Sequence, residues 1–230
     1  MFATIFQEQY DYFGSLIIKG EFGNKVVNNL ASLIGNVGFN ILKLEEVTDL
    51  SDNVITFVIA DNLTETEWVK IRSATSSTIF VIGCASPVQE PQADSCFICE
   101  TSPELCIQTL ISMMKLIGGD GLVMTDFADI RHVLIECGQQ NHVIYIESTH
   151  PEEAIERVLK QLSNKPIALD QVKGILLNMV IGEDFEFSNI HPIIEGVAAE
   201  VSETTSVIFG TTFDVNKQGQ ELGLNMIVSY

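Results

Sequence analysis

The first hundred residues alternate short apolar runs with helix-like segments, and this alternation constrains the fold more than any other feature. Runs at 15–19, 39–44, 54–60 and 78–83 have the β-branched and aromatic composition of strands. Segments 24–34 and 64–73 carry helical spacing between them. Strands interleaved with helices are expected to form a parallel sheet covered on both faces. The cluster from Pro87 to Pro91 interrupts the pattern and precedes a short strand at 96–99.

A different rhythm follows. Ser102-Pro103-Glu104 opens a helix, with Ser suited to the N-cap and Pro to the first turn. Leu105, Leu110, Met113, Met114 and Ile117 give it a broad apolar face, and Gly118-Gly119 ends it. A second helix is expected over 127–136, a strand over 143–147, and an amphipathic helix over 151–162. A strongly apolar strand spans 174–181. A helix over 190–201, despite His191-Pro192, and strands over 206–213 and 222–230 complete the pattern. The expected fold is therefore α/β: a parallel-sheet domain over 1–100, a connecting helix and acidic loop over 101–124, and an α+β domain with a four-stranded sheet over 125–230.

Composition narrows the partners. With 46% hydrophobic and 19% charged residues, the 230-residue chain has the make-up of a folded globular protein. Lys and Arg total 12 against 31 Asp and Glu, a formal charge of -19. That balance repels nucleic-acid phosphates and anionic lipid headgroups, and leaves a protein surface as the expected partner. The opening residues lack a basic segment followed by an apolar run, and no stretch approaches the length of a membrane span. Five cysteines, an odd number without a paired framework, suit a reducing cytoplasm. Cys96 and Cys99, with Cys106 nearby, would point to opposite faces of an extended run, so no metal site is expected. The histidines are scattered, and His132 and Cys137, five apart on the expected helix, are not expected to face each other closely.

The run Gly121-Leu122-Val123-Met124-Thr125-Asp126-Phe127-Ala128-Asp129-Ile130-Arg131 resembles the loop-to-helix junction of FtsZ and its tubulin relatives, with Met124 where the family usually has asparagine. Glu152-Glu153-Ala154, Pro166, Lys173 to Asn178, Gly182, and Ser206 to Thr211 with Asp214 follow in family order. The resemblance implies an FtsZ-like fold. It also implies a role for Asp126 and Asp129 in trans, where such carboxylates orient the water that attacks GTP held by the neighbouring subunit. Met124, Asp126, Phe127, Asp129 and Arg131 are then the expected partner interface. Two readings of the aspartates stay open: trans action, or capping of the helix. Arg131 is expected to pair with nearby carboxylates.

The amino-terminal half resembles the family less. In Gly20-Glu21-Phe22-Gly23-Asn24, placed after a strand and before a helix, Gly23 and Asn24 match, but Glu21 and Phe22 replace glycines. The glycine- and threonine-rich loop expected after 57–60 is replaced by Asp61-Asn62-Leu63-Thr64-Glu65-Thr66-Glu67. A phosphate cradle needs glycines so that backbone N–H groups can approach the anion. Each carboxylate placed about 4 Å from a phosphate costs on the order of 4 kcal/mol at an effective dielectric of 20. Glu21, Gly23, Asn24, Asp61 and Glu65 thus mark a degenerate nucleotide site, with no bound cofactor expected. The region between the first helix and the strand ending at Ala60 is shorter than in FtsZ, and the tail by which FtsZ reaches membrane tethers is expected to be absent. The expectation is a non-GTPase that binds an FtsZ-like protein, another protein or itself; the alternative is a divergent, self-polymerising GTPase.

Overall fold

A computed structural model describes residues 14–30, 39–60, 62–83, 93–99, 102–118, 121–138 and 140–230. The end of the first expected helix (31–34), Asp61, the Pro87–Pro91 cluster, Gly119 and the loop residue Asp120 lie outside the described residues. The chain divides into two compact units, Met1–Ile107 and Gln108–Tyr230, and the division falls within a single helix, Pro103–Gly118.

The first unit contains β1 (Gly14–Lys19), α1 (Gly20–Leu30), β2 (Phe39–Lys43), β3 (Ile55–Ala60), α2 (Glu65–Ala74), β4 (Thr78–Gly83) and β5 (Ser95–Ile98). Its strands run in the order β2-β1-β3-β4-β5, and every neighbouring pair is parallel. Parallel strands need covering on both faces, which explains why Ile55, Phe57, Val58 and Ile59 are all fully buried in β3. One face carries a row of rings, Phe39, Phe57, Phe80 and Phe97, with successive centroids 5.7, 5.8 and 5.5 Å apart. Gly14 opens that row, because a Cβ there would come within 2.6 Å of the Phe39 ring. On the other face Ile17, Val58, Ile79 and Val81 pack against Trp68, Ile71 and Ala74 of α2.

The second unit opens within α3 (Pro103–Gly118), followed by α4 (Phe127–Arg131), whose chain continues into a π-helical turn, His132–Glu136. Then come β6 (Gln140–Ser148), α5 (Pro151–Ser163), β7 (Gly174–Ile181), α6 (Ile190–Ala198), β8 (Ser206–Phe213) and β9 (Leu222–Ser229). The strand order is β6-β9-β7-β8, with β7 and β8 parallel and β9 antiparallel to both its neighbours. Helices α5 and α6 bury Ala154, Val158, Ile193 and Val197 against Ile144, Leu177, Met179, Leu224 and Met226. On the opposite face the buried Asn178 amide donates to Ser112 Oγ at 2.8 Å and Thr212 Oγ1 at 3.3 Å, so its burial is compensated. Pro192 sits in the first turn of α6, where a missing N–H breaks no helical bond.

The nine strands of the described residues, most of them pairing in parallel, and the helices packed on them give the α/β class expected from sequence. Boundaries differ in places. β6 runs longer at both ends than 143–147 because it pairs with β9 along its whole length, from Asn141 opposite Ser229 to Ser148 opposite Leu222. The helix expected from Asn24 begins at Gly20. A leucine at the centre of the second core tests the packing: Leu177→Ala should cost about 2–5 kcal/mol, lowering the urea midpoint without changing the slope.

Candidate functional site

In the first unit, parallel pairing brings the carboxyl ends of β1 and β3 to one edge, where open α/β sheets place ligands. At the end of β1 the chain enters α1 with no intervening loop. Gly20, at φ 83°, makes the turn, a conformation that glycine adopts without the Cβ penalty. The segment 20–23, expected to lie between the strand and the helix, is therefore helical. Asn24 Nδ2 donates to the Gly20 carbonyl at 2.7 Å, and Lys25 pairs with Glu21 at 2.7 Å. That lysine holds the Glu21 carboxyl below its usual range. Gly23 is buried beneath the helix, where an added Cβ would lie 3.0 Å from the Ile59 carbonyl and 3.3 Å from Ile18. Its small size serves helix-to-sheet packing.

Beyond β3, α2 is closed by its own side chains. Thr64 Oγ1 accepts from the Glu67 N–H at 3.3 Å, and Glu67 Oε2 accepts from the Thr64 N–H at 2.8 Å, a reciprocal capping box. Lys19, the last residue of β1, reaches the same Oε2 at 2.8 Å and the Asn62 carbonyl at 2.6 Å. The Lys19 bond, followed by those from Thr64, holds the Glu67 carboxyl down at about 2. An internal carboxylate and a lysine thus occupy the start of the helix that follows β3. Leu63 turns inward onto the core, while Glu65 is exposed. Asp61 lies outside the described residues. The Thr64-x-x-Glu67 spacing is a readable capping signal; the Lys19 partnership, 48 residues away in sequence, has no local signature.

In the second unit the acidic loop is pinned to β8. Val123 N–H donates to Thr211 Oγ1 at 2.9 Å, Thr211 N–H donates to the Val123 carbonyl at 2.9 Å, and Thr125 Oγ1 donates to the Phe209 carbonyl at 3.1 Å. Gly121 lies so close that an added Cβ would fall 1.8 Å from the Thr211 carbonyl oxygen. The segment is extended, and its side chains alternate. Thr125 is buried, whereas Leu122, Met124 and Asp126 face outward, Met124 being 61% exposed. Asp126 caps α4, its Oδ1 accepting from the Asp129 N–H at 2.8 Å. Asp129 and Arg131 are exposed and Phe127 is half-buried. No carboxylate of a described residue pairs with Arg131, against expectation. The structure thus brings Met124, Asp126, Phe127, Asp129 and Arg131 onto one short segment. Sequence reasoning gave no role to Leu122 beside Met124, to Gly121, whose lack of a side chain allows the close approach, or to Thr211, which holds Val123 from 88 residues away.

Two further clusters lie in the second unit. A groove of about 370 Å³ is lined by Glu147, Glu153, Arg157, Lys217 and Glu221, and its cations are already engaged by Glu147 and Glu153. Beneath it, burial and then Glu147 push the Tyr145 hydroxyl well above its usual range. The other cluster corrects the expectation for His132 and Cys137. The turn after α4 is π-helical, with Cys137 N–H donating to the His132 carbonyl at 3.0 Å, so residues five apart align and Cys137 Sγ lies 3.6 Å from His132 Nε2. Cys99 is buried and Cys96 half-exposed. Among the described residues no group of three or more His, Cys, Asp and Glu side chains is placed to hold a metal ion, and no helix is long and apolar enough to cross a membrane.

A parallel-sheet unit joined through a long helix to an α+β unit, with an acidic loop pinned beside the second sheet, is the FtsZ/tubulin fold. An empty FtsZ dimer from M. jannaschii superposes with a TM-score of 0.80 at 14% identity, covering 99% of this chain and 90% of that one. CetZ2 from Haloferax volcanii, a GTPγS-bound protofilament, gives 0.63 at 12% identity over 94% and 92% of the two chains. TubZ from Bacillus thuringiensis serovar israelensis, in GDP-form protofilaments, gives 0.66 at 9% identity, covering 95% and 86%. In sequence, the cell division protein FtsZ of Coxiella burnetii is 29% identical over 116 residues, which is 50% of this chain and 30% of the relative. FtsZ of Wolbachia pipientis is 31% identical over 103 residues, 44% of this chain and 32% of the relative. The matched stretch thus spans about a third of the length of these curated relatives. No protein-family model matches the chain.

Two tests follow from this geometry. Gly121→Ala should cost about 1–3 kcal/mol and free the loop from β8, because the obstacle is backbone and cannot swing aside; amide exchange at Val123 and Thr211 would rise. Glu67 has a folded-state pKa below its ordinary value of 4.5, so its contribution is full above about pH 4.5 and is lost as pH falls toward about 2. Glu67→Gln should therefore lower the melting temperature at pH 7, with the difference from wild type closing as the pH approaches 2.

Proposed function

We propose that this chain is a cytoplasmic, non-GTPase FtsZ-like protein that works through protein contact, capping or modulating an FtsZ-type filament with its Asp126–Asp129 segment. The observation that carries this reading is the contrast between its two candidate surfaces. The acidic loop is held outward by three hydrogen bonds to β8 residues. The start of α2, by comparison, has Glu67 in its capping box and Lys19 committed to that carboxylate. A chain that can dock onto a nucleotide-bearing end yet offers no working nucleotide site of its own adds to a filament once and blocks the next addition. The CetZ2 and TubZ structures are of protofilaments, which supports assembly surfaces as the feature worth testing in this fold.

The alternative, a divergent GTPase that polymerises itself, draws on Lys19. Its ammonium already sits at the sheet edge, and release from Glu67 would turn it toward a phosphate. A third reading, self-assembly without nucleotide, uses the same acidic loop.

Calorimetry with GTP and magnesium separates these readings, with an authentic FtsZ as positive control. The proposal expects no saturable heat at high micromolar GTP; tight binding would place the GTPase first. Concentration-dependent assembly without nucleotide would single out the third. In a partner FtsZ turnover assay the wild-type chain should change the rate, whereas Asp126→Asn, which keeps the helix cap, and Asp129→Ala should lose that effect. If both variants act like wild type, the aspartates serve only as scaffold.

A further inference from the structure

The π turn after α4 gathers three side chains that the assembly reading leaves unused. His132 Nδ1 lies 2.9 Å from Glu136 Oε2, and its Nε2 lies 3.6 Å from Cys137 Sγ. With the carboxylate accepting Nδ1–H, the tautomer is fixed and the Nε2 lone pair faces the thiol. A carboxylate, an imidazole and a thiol in this order form the arrangement that activates a nucleophile. The geometry depends on the turn: a regular α-helix would rotate residue 137 away from residue 132, whereas the i+5 ladder stacks them.

Access and charge point the same way. Cys137 is half-exposed, while Cys99 and Cys106 are buried. Cys96 is also half-exposed, but it belongs to the first unit, where the sequence has no histidine. Burial and Glu136 push the Cys137 thiol up, and Lys173, just before β7, pulls it down. The thiol therefore keeps its proton at neutral pH and needs a base to release it. Gly174 lets the Cys137 side chain pack directly onto β7, since a Cβ there would lie 2.9 Å from Cys137 Cβ and 3.2 Å from Sγ.

We propose that Cys137 is a peroxide-modification site, converted to a sulfenic acid with His132 as its base and Glu136 as the positioning residue. His132 Nε2 takes the thiol proton as Sγ attacks one peroxide oxygen. An S–O bond forms, the O–O bond breaks, and the departing hydroxide recovers the proton from His132 as water. Sulfur loses two electrons and the peroxide gains them. Hydrogen peroxide is small and uncharged, so neither Glu136 nor the chain's charge of -19 repels it, as both would an anionic disulfide. Cys137 is the single cysteine of the second unit, so no thiol of that unit consumes the product.

The test is hydrogen peroxide treatment followed by dimedone trapping, with each cysteine quantified by mass spectrometry from about pH 5.5 to 9. Cys137 should label roughly tenfold faster than Cys96 at pH 7. His132→Gln should lower the rate about tenfold. Glu136→Gln, whose amide oxygen can still accept Nδ1–H, should keep most of the rate, whereas Glu136→Ala, which removes that acceptor, should lower it several-fold. Labelling of His132→Gln at the wild-type rate, or of Cys96 as fast as Cys137, would overturn the proposal. Should His132→Gln fail to fold by circular dichroism, the Glu136 variants decide alone, and labelling of Glu136→Ala at the wild-type rate rejects the assignment.

Discussion

Parallel pairing is the constraint from which the first unit follows. Two parallel strands cannot be joined by a hairpin, so each connection must cross a face of the sheet and return. Every strand then exits at the same edge, and the sheet is apolar on both faces, as the fully buried β3 requires. That topology leaves one edge where helix starts and strand ends converge. What the edge can do depends on the few residues placed there. Here those residues are Gly20, which removes the loop after β1, and Thr64, Glu67 and Lys19, which close the start of α2 among themselves.

The second unit shows the complementary principle, a loop made rigid by distant backbone. Segment 121–125 has no secondary structure of its own, yet two hydrogen bonds to Thr211 and one to the Phe209 carbonyl fix it as firmly as an edge strand. Period-two alternation then decides which side chains face outward. Leu122, Met124 and Asp126 are exposed because Val123 and Thr125 are turned to β8. An apolar pair beside a carboxylate, held on a preorganised backbone, loses little entropy on docking.

Much of the fold was legible because it rests on local chemistry. The β-branched runs of β3, β4 and β7, the apolar stripe of α5 and the Ser102-Pro103 start of α3 each carry their own signal. The Asp-Phe-Ala-Asp segment was legible in the same way. Three things were not. The entry into α1 depends on a single positive φ at Gly20, which composition does not announce. The loop clamp depends on Thr211, distant in sequence, and so does the Lys19 contact to Glu67. The meeting of His132 and Cys137 depends on one turn being π-helical; any α-helical projection sets them apart.

These omissions bear on function because each converts a generic element into a specific one. A glycine followed by a helix reads as a loop that could hold phosphate until the helix is seen to start at once and Gly23 to be buried on Ile59 and Ile18. A helix start rich in Glu reads as ordinary capping until Lys19 joins it. One carboxylate shared among several donors fixes the helix start, and an incoming phosphate must displace Glu67 and take over Lys19, the Thr64 N–H and the Thr64 hydroxyl together. An anion already covalently part of the chain is present at high effective concentration, so a free nucleotide competes with it at a disadvantage of loop-closure origin as well as charge. Loss of glycines and gain of an internal carboxylate therefore act on the same step, and the second does more than repel: it holds the donors in use.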